Sequence, residues 1–147
     1  MYRKILLVAM VAFALAWQFP NQANAQQQSL NLWAAISVSD PLFRESWTKD
    51  LTIHFTLVND GNEIIDPKIE SSKIIINGEA LESSGFIFSN GPRSKNWNAL
   101  APRDALRFSI GLNEYFKKPG IYKVSWKGQN FEAPQITFRV MPSKSNR

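Results

Sequence analysis

The sequence predicts an all-β domain, an antiparallel two-sheet sandwich of about seven strands. Three observations predict it. Apolar residues recur at every second position in several short runs, which is the period of a strand with one buried face. Clusters of Gly, Pro, Asn and Asp break those runs at intervals of about 8 to 12 residues. No run carries a helical period long enough to cover a sheet. A small closed barrel is the alternative arrangement of the same strands.

The chain has 147 residues, and the first 25 are expected to be a secretory signal peptide. Arg3 and Lys4, the apolar run Ile5–Trp17 and the terminal Ala23-Asn24-Ala25 have that layout. The apolar run falls short of the ~20 residues that span a bilayer, so cleavage predicts a periplasmic or secreted product. Residues 26–29 are polar and are expected to be a flexible N-terminus. The domain itself is placed at 30–142 and is followed by a basic tail, 143–147.

The first strand is placed at 30–39, where Leu30, Leu32, Ala34, Ile36 and Val38 alternate with Asn31, Trp33, Ala35, Ser37 and Ser39. Asp40-Pro41 ends it, and a long connection with Phe43 and Trp47 follows. The second strand, 50–58, is the clearest: Leu51, Ile53, Phe55 and Leu57 share one face. Asn59-Asp60-Gly61-Asn62 then makes a turn. An isoleucine-rich third strand, 69–77, stops at Asn77-Gly78, the dipeptide suited to a type I′ hairpin. The returning strand is either the short 79–81 piece or Phe86-Ile87-Phe88, taken here as a fourth strand at 86–89. Residues 89–98 form a loop around Gly91-Pro92. The fifth strand, 105–112, buries Leu106, Phe108, Ile110 and Leu112. After the Pro119-Gly120 corner, Tyr122, Val124 and Trp126 share the inner face of the sixth strand, 121–127, and Ile136, Phe138 and Val140 that of the seventh, 135–141.

The stretch Leu100-Ala-Pro-Arg-Asp-Ala-Leu-Arg-Phe-Ser-Ile110, followed by Pro119-Gly-Ile-Tyr-Lys-Val-Ser-Trp126, resembles the corner between the fifth and sixth strands of bacterial immunoglobulin-like domains. There a Leu-x-Pro-Gly lead-in and a Pro-Gly-x-Tyr opening recur. With the run Leu51–Asn59 the resemblance covers most of the domain, and it extends to accessory domains of secreted peptidases and to BsuPI-type inhibitor domains. It implies an immunoglobulin-like sandwich. The chain departs from the pattern at Arg103, where glycine is usual, and it lacks any His-Glu-x-x-His zinc motif, so no peptidase activity is carried over. Tyr122 is expected to bury its ring and return its hydroxyl to the backbone of the corner.

Composition narrows the chemistry. Without cysteine there is no disulfide, thiolate metal site or thiol nucleophile. The only histidine, His54, and the only methionine outside the leader, Met141, leave no set of transition-metal ligands. No cofactor is expected. The net charge of +5 falls to about +3 once Arg3 and Lys4 are removed, too little to suggest nucleic acid. His54 lies on the Thr52–Thr56 face of its strand with no partner for base catalysis in view. The acids are scattered singly, and the Asn59–Glu63 oxygens suit a tight turn better than calcium. The chain is therefore expected not to be an enzyme.

Two candidate surfaces remain. Alternation turns Lys123 and Lys127 outward on the sixth strand, Arg139 on the seventh and Lys73 on the third, with Lys117 and Lys118 at the edge. In an immunoglobulin-like sandwich those three strands are neighbours in one sheet, so the four cations would share a face suited to another exported protein or an anionic envelope polymer. The competing reading is a solvated face of a slightly basic domain. Trp47 and Trp97, in polar loops, with Trp33 off the apolar face of the first strand, would supply an aromatic contact surface unless they are lids over the core. The expectation is a non-catalytic interaction module. The alternative is a BsuPI-type proteinase inhibitor that presents loop 89–98, with Pro92, Arg93 and Lys95, to a protease cleft.

Overall fold

The computed structural model describes residues 31–90 and 93–143, apart from the side chains of residues 46, 47 and 49. The expected signal peptide, the 26–29 segment, Pro92 and all but the first residue of the tail lie outside these. Eight strands are present among the described residues: β1 (Leu32–Val38), β2 (Leu42–Arg44), β3 (Thr52–Asn59), β4 (Lys73–Ile76), β5 (Glu79–Ala80), β6 (Ala105–Gly111), β7 (Gly120–Lys127) and β8 (Glu132–Met141). They form a three-stranded sheet, β1-β3-β6, and a five-stranded sheet, β2-β8-β7-β4-β5. The fold is all-β in two sheets. Every pairing is antiparallel except β2 with β8.

The core lies between the sheets and is rich in aromatic rings. Phe55 of β3 stacks on Phe108 of β6 at 5.0 Å and meets Trp126 of β7 edge-on at 5.2 Å. The Trp126 indole N–H, fully buried, donates to the Ser72 hydroxyl at 2.8 Å, so burying that ring leaves no orphan donor. Phe116, Tyr122 and Phe138 form a second cluster, and the Tyr122 hydroxyl donates to the Lys118 carbonyl at 2.8 Å, which pins the corner before β7. Between β7 and β8 the backbone at Gly128 passes so close to the Phe131 ring that a Cβ there would lie 2.2 Å from it.

The turns follow their residues. Asn77 and Gly78 both have positive φ, 52° and 90°, as a type I′ hairpin requires, and they join β4 to β5. Asn59, fully buried, is satisfied on every side. Its amide donates to the carbonyls of Glu63 and Leu100, and its oxygen accepts from Gly61 N–H. The same residue closes a bulge: Asn59 N–H donates to Asp104, while Arg103 N–H donates back to Asn59 O. Arg103 has φ 60° in a turn closed by Asp104 N–H to Ala101 O, with Pro102 before it. That is a left-handed position, which glycine takes without strain.

Two expected elements are corrected. Residues 86–89 are not a strand. They belong to a short helix, α1 (Ser84–Ser89), with Phe88 buried between Phe55 and Phe108 and Phe86 turned out at 73 % exposure. Three apolar residues in a row show neither period, and the Ser84 hydroxyl, bridging Leu81 O and Ile74 N–H, ties the first residue of α1 to β4. The 42–49 connection contains β2, followed by a 3₁₀ turn over Glu45–Asp50.

Candidate functional site

The five-stranded sheet places β8, β7 and β4 side by side. Inward they contribute Val140, Phe138, Val124, Trp126 and Ile74, all buried. The intervening residues face outward, and Lys73, Lys123, Lys127 and Arg139 are all exposed there. Lys73 stands directly opposite Lys127, and Lys127 opposite Glu132, to which it is paired at 3.1 Å. Two like charges on neighbouring strands repel at this spacing, and Glu132 offsets that row. Lys123 is opposite Thr137 in the middle of the sheet, its backbone clasped by Asn77 on both sides. At the far end Arg139 lies between Ile121, 61 % exposed, and Leu42, 55 % exposed. Among the described residues Lys73, Lys123 and Arg139 form no ion pair. Lys117, at the margin, is held by Glu114.

Of the aromatic candidates, Trp97 is withdrawn from the surface. Trp97 is 5 % exposed: it packs on Phe108 at 5.0 Å and is covered by the Arg93 guanidinium at 5.9 Å, so it is a lid over the core. The lid was the alternative for a large ring in a polar loop, although nothing local in 94–98 signals the ring it covers. Trp47 sits on the 3₁₀ turn after β2, and its side chain lies outside the described residues. Trp33 is exposed on the outer side of β1. Loop 89–98 is tied back to the body as well. Arg93 bonds Glu70 at 2.6 Å and Ser89 O at 3.0 Å, which leaves Lys95 as the loop's cation without an ion pair among the described residues.

Titratable groups meet in two places. His54 Nδ1 is 2.7 Å from the Ser109 hydroxyl across β3 and β6, on the exposed outer face of the three-stranded sheet. Ser109 is the only hydrogen-bond partner of the His54 ring among the described residues, so no carboxylate orients the ring in the manner of a triad. Asp40 and Asp50 line one cleft of about 320 Å³ with Ser39, Leu42 and Phe43. Both carboxylates are solvent-exposed, and Asp40 already accepts from Leu42 N–H. The cleft lacks the apolar enclosure that assigns separate acid and base roles to such a pair. Among the described residues no group of three or more His, Asp or Glu side chains gathers as metal ligands. Asp60 is engaged by Arg103 in an ion pair. No helix of the described residues is long and apolar enough to cross a membrane.

No family model matches the chain, and no curated protein matches it.

Proposed function

We propose that this protein is an exported, non-catalytic interaction module of the immunoglobulin-like kind, and that it holds an anionic partner on the outward face of its five-stranded sheet. The observation that carries the reading is the convergence of Lys73, Lys123, Lys127 and Arg139 on that face, with three of the four free of ion pairs among the described residues. A flat, regularly spaced set of cations suits an acidic protein surface or an anionic envelope polymer better than a small ligand, which needs a concave site. The exposed Ile121 and Leu42 beside Arg139 add apolar area at one end. The immunoglobulin-like assignment is supported by the neighbour order β8-β7-β4 and by the chain leaving β1 in one sheet to pair β2 parallel with β8 in the other.

Retention on an immobilised sulfated polysaccharide, eluted with salt, tests the reading. The double variant K123E/R139E is expected to elute at much lower salt than the parent. K95E/R107E makes the same change in net charge on the other side of the molecule and is expected to shift elution far less. Equal shifts would mean that net charge alone governs retention, and the binding face would be abandoned.

A further inference from the structure

β6 is one of the two edge strands of the three-stranded sheet. Its register with β3 is unbroken from Thr52↔Gly111 to Val58↔Ala105. Asn59 N–H points to β6, donating to Asp104, whereas Asp60 N–H points to β1, donating to Asn31. Backbone groups alternate in direction along a strand, so Leu57, Phe55 and Ile53 face β6, and Leu106, Phe108 and Ile110 complete that ladder. Ala105, Arg107, Ser109 and Gly111 must then turn their N–H and C=O groups to the opposite edge. Ala105 fits this: its carbonyl accepts from Asn96 at 3.4 Å, and its N–H donates to Asp104 at 2.7 Å. Among the described residues nothing pairs the backbone of Arg107, Ser109 or Gly111 on that edge.

The edge is also badly protected. Exposed edge strands are usually blunted by proline, inward-pointing charge or a covering element, and 105–111 has no proline and a single outward charge, Arg107. Beside it runs a groove of about 280 Å³ whose far wall is Ile87 and Phe88 of α1 with Trp97, and whose near wall is β6 itself from Arg107 to Ile110. An open ladder beside an apolar trough is the arrangement used for strand addition.

We infer that the free edge of β6 takes an extended segment of a partner polypeptide as a fourth strand, and that the segment alternates acidic and apolar residues. The alternation follows from the pleat. A residue opposite Arg107 points to the outer face beside that guanidinium, and the next one points inward against Phe88 and Trp97. The cations favour an acid at the outer position. Lys95 and Arg107 both lie close to Asp104, whose oxygens are already taken by Ala105 N–H and the Asn96 amide. Neither cation has an ion-pair partner among the described residues. A second copy of this chain is a poorer occupant, since it would bring its own Lys95 and Arg107 to the same edge. This surface is separate from the basic face of the five-stranded sheet and does not depend on it.

The test is amide hydrogen exchange by NMR on the full chain, with and without a capped eight-residue peptide of alternating glutamate and valine. Saturating peptide is expected to slow exchange at Arg107, Ser109 and Gly111 at least tenfold while leaving Leu106, Phe108 and Ile110 as they were. The same peptide N-methylated at every amide should give no protection. Ser109→Pro removes an outward N–H that the inner ladder does not use and should abolish the effect. R107E, which leaves the backbone intact, should weaken binding of the glutamate peptide at least fivefold and serves if the proline variant fails to fold. Absence of protection, or equal protection by the methylated peptide, overturns the inference. So does protection at these amides without peptide: if it rises with protein concentration a second copy occupies the edge, and if it does not, the chain's own residues do.

Discussion

Arg103 carries the clearest residue-scale consequence. A side chain at φ 60° is strained by roughly 1–2 kcal/mol relative to an ordinary conformation, a cost glycine escapes. Arg103 offsets part of it through its exposed ion pair with Asp60, worth about 0–1 kcal/mol. Comparing Arg103→Gly with Arg103→Ala removes the ion pair from both. The glycine variant is expected to be the more stable by about 1 kcal/mol in urea unfolding, and equal stabilities would show that the corner is not left-handed in solution. Next to it, the Ala105 N–H and then the Asn96 amide, with Lys95 and Arg107 nearby, hold the Asp104 carboxyl below the usual carboxylate range. Because the folded value is the lower one, this contribution is complete at neutral pH. It is lost only as pH falls below about 4, the unfolded value, through the folded one. Asp104→Asn should therefore flatten the acid limb of a stability profile measured from pH 6 to pH 2 and leave no new dependence near pH 7. The turn around Pro102 and Arg103 was legible as a break before a strand, whereas the partners of Asp104 were not, since Asn96 is brought to it only by folding.

At the scale of elements, strands with strict alternation were read correctly: β1, β3 and β6 lie within the predicted ranges to within a residue or two. Asn77-Gly78 and the Tyr122 corner were equally legible, because each is decided by a few adjacent residues. Tyr122→Phe is expected to cost about 0.5–1.5 kcal/mol by loss of the bond to Lys118 O while the edge-on contact with Phe116 and the stacking on Phe138 persist. A loss near zero in chemical denaturation would mean the corner is held by packing alone. The misread elements share a different cause. α1 is a single apolar run whose helical form depends on Phe88 reaching the ring cluster of Phe55, Phe108 and Trp126. β2 is three residues long and is defined only by lying parallel to Leu42's partner Arg139 and its neighbours on β8. Tertiary contact decided both, and no local period records it.

For the whole molecule, alternation within strands indicated which cations face outward, and the sheet order brings β4, β7 and β8 together. What alternation did not reveal is register. Glu132 precedes the predicted last strand, yet it begins β8 and pairs with Lys127, so one of the four cations is partly neutralised. Nor did the sequence distinguish edge strands from central ones, which is why the open side of β6 emerges only from the topology. Three cations without an ion pair among the described residues, Lys73, Lys123 and Arg139, thus share the outward side of the five-stranded sheet, and unpaired backbone lies on the opposite sheet at Arg107, Ser109 and Gly111. The central claim is that the first of these surfaces receives an anionic partner. It is tested most directly by titrating the isotope-labelled full chain with a sulfated oligosaccharide and mapping the residues whose NMR signals move. Movement confined to β4, β7 and β8, with Lys73, Lys123 and Arg139 affected first and the whole effect suppressed by salt, is the predicted result. Movement centred on β3 and β6, or spread evenly over all exposed lysines and arginines, would contradict it.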